Sequence, residues 1–102
     1  MELTRVLDTL KDADGNSAQG KLVIHNPAFI AADGSAVAAG NLTYRIPPSS
    51  PGLVDLVLAP TEGADPAGTS YTVAYFLASG AAYLEIWRIP RTGPVTISQA
   101  RA

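Results

Sequence analysis

The sequence predicts an all-β fold, an antiparallel β-sandwich of about seven strands. Three observations predict it. Apolar residues alternate with a period of two through most of the chain. Those positions are rich in β-branched and aromatic residues, which suit a pleated surface. The 9 Gly and 8 Pro among 102 residues fall largely between the alternating runs, where they make turns and oppose long helices.

In chain order, Thr4, Val6, Asp8 and Leu10 read as a first strand. It is expected to pair, through the Asp14-Gly15-Asn16 turn, with Lys21 to His25. Leu3, Val6, Leu7 and Leu10 also fit a helical stripe, so a short N-terminal helix is the alternative. In the second strand Leu22 and Ile24 share a side. Asp33-Gly34-Ser35 signals another turn, and Asp33-Gly34 and Gly40 break up the alanine-rich stretches at 31–32 and 36–39. Leu42, Tyr44 and Ile46 form a third run, ended by the rigid Pro47-Pro48-Ser49-Ser50-Pro51-Gly52 bend. Val54, Leu56 and Leu58 alternate next, followed by a long loop, Ala59 to Gly68. Tyr71, Val73, Tyr75 and Leu77 then lead through a Ser79-Gly80 hairpin turn to Tyr83, Glu85, Trp87 and Ile89. Pro90 to Pro94 breaks the chain before a last strand containing Val95 and Ile97. Several runs are apolar on both faces, which calls for two packed sheets. Residues 1–102 read as one domain, with immunoglobulin-like, fibronectin-like or prealbumin-like connectivity.

Composition excludes several chemistries. With no Cys there are no disulfides, thiolate metal sites or cysteine nucleophiles. The formal net charge is -2, and Arg5, Lys11, Lys21, Arg45, Arg88, Arg91 and Arg101 are spread without a run. Nucleic acid is therefore not an expected partner. No stretch approaches the ~18 consecutive apolar residues of a membrane helix. Glu2 and the lack of a following apolar run argue against a signal peptide at the start of this sequence.

The search for catalytic residues finds little. His25 is the single histidine, and no Gly-x-Ser-x-Gly element accompanies it. It reads as a strand-end histidine at a surface. Asp12-Ala13-Asp14-Gly15-Asn16 is the most metal-like segment. Its glycine comes two positions too early for an EF-hand loop, and Val23 stands where the bidentate Glu belongs. It reads as an acidic hairpin turn. Glu62, Asp65 and Glu85 form no recognisable catalytic pair, and Gly63, Gly68 and Gly80 make no phosphate-binding spacing. The expectation is a protein that is not an enzyme and takes no metal or cofactor.

The aromatic residues say more. Tyr71, Tyr75, Tyr83 and Trp87 share registers on neighbouring strands. They read as cross-strand core packing. Alternatively, Tyr75, Tyr83 and Trp87, framed by Arg88 and Arg91, form a flat interaction strip for protein or sugar. Tyr71 is expected to bury its ring while its hydroxyl caps a loop backbone. Trp87 is expected to be the largest single core contact.

Leu56-Val57-Leu58-Ala59-Pro60, then Gly68-Thr69-Ser70-Tyr71-Thr72-Val73-Ala74-Tyr75, then Trp87-Arg88-Ile89-Pro90, and Gly93-Pro94-Val95-Thr96-Ile97-Ser98 follow one another in order. This succession resembles small β-sandwich modules of bacteriophage and prophage tail proteins, in fibres and baseplates. Ile89 replaces the usual valine. Thr9 to Ile24 is similar, less specifically, to prealbumin-like domains. The resemblance implies a structural module of a virion that contacts other tail proteins and forms homo-oligomers. It carries no catalytic residue over. Strand edges near either terminus are expected to support β-addition. A carbohydrate-binding or host-recognition module is the alternative.

Overall fold

A computed structural model describes residues 1–102. Its strands are β1 (Thr4–Thr9), β2 (Gly20–Asn26), β3 (Phe29–Ile30), β4 (Ala36–Val37), β5 (Gly40–Arg45), β6 (Leu53–Leu58), β7 (Tyr71–Leu77) and β8 (Ala82–Trp87). One helical turn, α1 (Ile97–Ala100), ends the order. The four-stranded antiparallel sheet runs β5-β2-β7-β8, and β1 pairs with β6 in a second sheet. The result is an all-β sandwich.

The core follows from the alternation. Val6 of β1, Leu22 and Ile24 of β2, and Val54, Leu56 and Leu58 of β6 point inward. Tyr71, Val73 and Tyr75 of β7 and Trp87 of β8 join Leu22 and Ile24 in facing β1 and β6 from the larger sheet. Trp87 and Tyr75 are the largest fully buried side chains. A smaller cluster packs Phe29, Ala31, Ala59 and Ala64 at one end, where the β3–β4 hairpin turns through Asp33-Gly34.

The N-terminal segment is a strand, but its partner differs from the expected one. The Asp12–Asn16 turn closes only a Lys11–Ser17 bridge. Beyond it the two strands part into opposite sheets, and β1 pairs with β6 along its whole length, Thr4 with Leu58 through Thr9 with Leu53. Gly20 enables the parting. Its φ is 129°, and a Cβ there would lie 2.3 Å from the Phe76 carbonyl oxygen. Only glycine fits that approach.

The expected last strand is also absent. Val95 makes two hydrogen bonds beside β1, giving its C=O to Leu7 N–H and its N–H to Arg5 C=O, both at 2.9 Å. Thr96 then starts a helix. Its hydroxyl accepts from Gln99 N–H at 3.3 Å, while the Gln99 side chain accepts from Thr96 N–H at 2.9 Å. This capping box captures the backbone before a ladder can extend. Asp8 on β1 adds a carboxylate oxygen 2.9 Å from Ile97 N–H.

Candidate functional site

The residues of the aromatic strip are placed by the β7–β8 register, which sets Tyr75 opposite Tyr83 and Tyr71 opposite Trp87. All four side chains are on the inward phase of their strands. Tyr75 and Trp87 are 0% exposed. They belong to the core and present no surface to a ligand. Tyr83 sits at the open end of the sandwich, stacked on Tyr75 with ring centroids 4.4 Å apart. Arg88 is five residues further along, about 17 Å at strand spacing. It lines a cleft with Thr61, Glu62, Thr69 and Gln99. Arg91 lies past Pro90, where its backbone N–H donates to Glu62 at 2.8 Å. Arg88 and Arg91 both adjoin Glu62, but Tyr83 lies away from them and Tyr75 and Trp87 are buried, so the five residues do not form one strip.

Glu85, between Tyr83 and Trp87, is the residue that sequence reasoning undervalued. Its side chain is only 12% exposed. Oε1 accepts from the Tyr75 hydroxyl at 2.6 Å and from Trp87 Nε1 at 3.1 Å. Oε2 pairs with the Arg101 guanidinium at 2.5 Å. One carboxylate thus satisfies two core donors and holds the C-terminal segment on β8. The same segment pairs its backbone with the strand: Arg88 N–H donates to Ala100 C=O and Ala102 N–H to Ile86 C=O. Burial and the neighbouring Glu85 charge both push the Tyr75 hydroxyl pKa far above its ordinary value.

Other candidates behave as structural groups. The Tyr71 hydroxyl donates to Ala59 C=O at 2.7 Å, as expected, and burial pushes its pKa up to about 12. His25 is exposed and shares a 2.7 Å hydrogen bond between Nδ1 and Asn41 Oδ1. The Asp12 carboxylate accepts from Asp14 and Asn16 N–H groups, both at 3.0 Å, which closes the turn. No three His, Asp or Glu side chains converge as metal ligands would.

The surface that stands out is the outer face of the four-stranded sheet. Its three cross-strand rows are Arg45-Lys21-Phe76-Ala82, Thr43-Val23-Ala74-Leu84 and Asn41-His25-Thr72-Ile86. The β7–β8 half is apolar and uncovered: Leu84 is 70% exposed, Phe76 46% and Ile86 43%. The β2–β5 half carries Arg45, Lys21 and His25 and no acid. Lys21 reaches across, its Nζ 5.7 Å from the centre of the Phe76 ring. The sequence held the signal for this face, since β7 and β8 are apolar in both phases. No protein-family model, curated protein or solved structure matches the chain.

Proposed function

We propose that the chain is a non-enzymatic structural module that acts through protein–protein contacts, with the apolar outer face of β7 and β8 as its contact surface. The observation that carries this reading is the exposure of Leu84, Phe76 and Ile86 side by side on one sheet face. Soluble proteins seldom leave such residues contiguous unless something covers them. A glycan platform draws less support, because Tyr75 and Trp87 are buried and Tyr83 stands without them. The tail-module motifs supply the setting, a virion or tail-like particle whose other proteins are the partners.

The test is co-sedimentation of the tagged chain with tail particles from the cells that make it. Wild type is expected in the particle fraction. Leu84→Asp combined with Ile86→Asp should shift it to the free fraction while its melting temperature stays near wild type. A wild-type chain found only free, or a double variant still bound to particles, contradicts the reading.

A further inference from the structure

The outer edge of β5 is the longest unpaired edge in the molecule. Ile46 N–H donates to Gly20 C=O at 2.9 Å. In an antiparallel ladder, alternate residues aim their backbone groups to opposite sides. With the β2–β5 register, Gly40, Leu42 and Tyr44 therefore bond β2, and Asn41, Thr43 and Arg45 aim outward. Nothing in the molecule hydrogen-bonds those outward N–H and C=O groups.

The other edges are guarded in part. Val95 lies along β1, and Ala100 and Ala102 take the Ile86–Arg88 end of β8, which leaves only Ala82 and Leu84 unpaired there. On β6 the Tyr44 hydroxyl donates to Leu53 C=O at 2.7 Å and accepts from Asp55 N–H at 3.2 Å. The edges near the two termini, where β-addition was expected, are thus shortened by these contacts, and β5 keeps the longer free edge. β5 has no proline and no lysine, and Arg45 at its end is its single charge. Those are the usual means by which an edge strand repels pairing.

We propose that β5 pairs antiparallel with β5 of a second copy of this chain, about a two-fold axis at Thr43. The side chains suit that register. Thr43 meets Thr43 of the second copy, and threonine pairs favour this position. Asn41 meets Arg45, so no like charges stand opposite, and Arg45 gains an amide partner. On the inner face Leu42, 45% exposed in the single chain, meets Tyr44 of the second copy. The pairing joins two four-stranded sheets into one of eight strands. An unrelated strand would satisfy the backbone groups but has no such matched set of pairs. β5 and the β7–β8 face are different surfaces, so a chain that stays monomeric leaves the proposed contact face untouched.

The test uses Thr43→Cys in this cysteine-free chain. Directly opposed residues of a hydrogen-bonded antiparallel pair have Cα atoms about 5.5 Å apart, within the ~4.4–6.8 Å that a disulfide spans. Sedimentation should show a wild-type dimer, and oxidised Thr43→Cys should become a covalent dimer nearly quantitatively. Val57→Cys, on the exposed side of β6, is the collision control and should stay largely monomeric. Thr43→Lys sets two ammonium groups face to face, so it should be folded by circular dichroism, monomeric at low salt and partly dimeric again at high salt. A wild type that is monomeric at millimolar concentration overturns the inference. So does a Thr43→Cys variant that crosslinks no faster than Val57→Cys, or a low-salt dimer that Thr43→Lys leaves intact.

Discussion

Replacing Glu85 by Ala tests whether one carboxylate holds the β8 side of the core. The change leaves the Tyr75 hydroxyl and Trp87 Nε1 without their acceptor. Both residues are 0% exposed, so water does not reach their rings to compensate. A buried donor left unsatisfied costs about 1–3 kcal/mol. Two such donors place Glu85→Ala at about 3–5 kcal/mol, with little added by Arg101, whose half-exposed guanidinium is hydrated once freed. For a domain of this size each kcal/mol moves the melting temperature by ~4–8 °C, so the midpoint should fall by at least ~12 °C. Glu85→Gln keeps an oxygen for the two donors but loses the charge facing Arg101, and should cost about 1–2 kcal/mol. Arg101→Ala removes a half-exposed partner and should cost less than about 1 kcal/mol. Urea unfolding followed by the fluorescence of Trp87, the single tryptophan, reads all three. The reasoning fails if Glu85→Ala costs under about 1 kcal/mol, or if Arg101→Ala costs as much as Glu85→Ala.

Three further outcomes are expected. Trp87→Ala should destabilise by about 3–5 kcal/mol in the same assay, and near-wild-type unfolding would deny the side chain its place in the core. Thr96→Ala should cost about 0.5–2 kcal/mol through the lost cap, and an unchanged urea midpoint would show that Asp8 and the Val95 bonds hold the turn alone. The third concerns Tyr71, whose hydroxyl is raised in the fold from 10.0 to about 12. Stability is full below the unfolded value and is lost as pH rises toward the folded one. The slope is about 1.4 kcal/mol per pH unit between the two values, since the unfolded chain releases the proton first. Tyr75 adds a fall of the same sign. Tyr71→Phe should flatten the alkaline decline above pH 10, the unshifted tyrosine value, and an unchanged slope would refute the assignment.

Much of the sandwich is legible in the sequence because alternation decides which side chains share a face. It places Val54, Leu56 and Leu58 on one side of β6, and Tyr71, Val73 and Tyr75 on one side of β7, as found. It also marks Tyr71 as a buried ring with a bonded hydroxyl. What alternation does not carry is which strand lies beside which. The Asp14-Gly15 turn is a strong local hairpin signal, yet the hairpin stops after the Lys11–Ser17 bridge because Gly20 sends the chain to the other sheet. The β3–β4 pair has two residues per strand, too short to show a period. At the C-terminus two local signals compete. Val95 and Ile97 alternate like a strand, but Thr96 and Gln99 have capping-box spacing, and the cap prevails.

The candidate surface was harder to read for a related reason. Period-two patterning separates two faces of β8 without saying which one a second sheet will cover. Tyr83, Glu85 and Trp87 turned inward, and Leu84 and Ile86 were left in water. The buried carboxylate at Glu85 breaks the pattern of apolar inward residues. Its three donors come from Tyr75, Trp87 and Arg101, and only the fold brings those together.

Carbene footprinting tests the proposed contact face most directly, by comparing the free chain with the chain mixed with the tail-like particle proposed as its setting. Labelling of Phe76, Leu84 and Ile86 should drop strongly on assembly, while exposed Val57 on the opposite sheet keeps its labelling. Equal labelling of the three residues in both states, with protection elsewhere on the surface, would contradict the assignment.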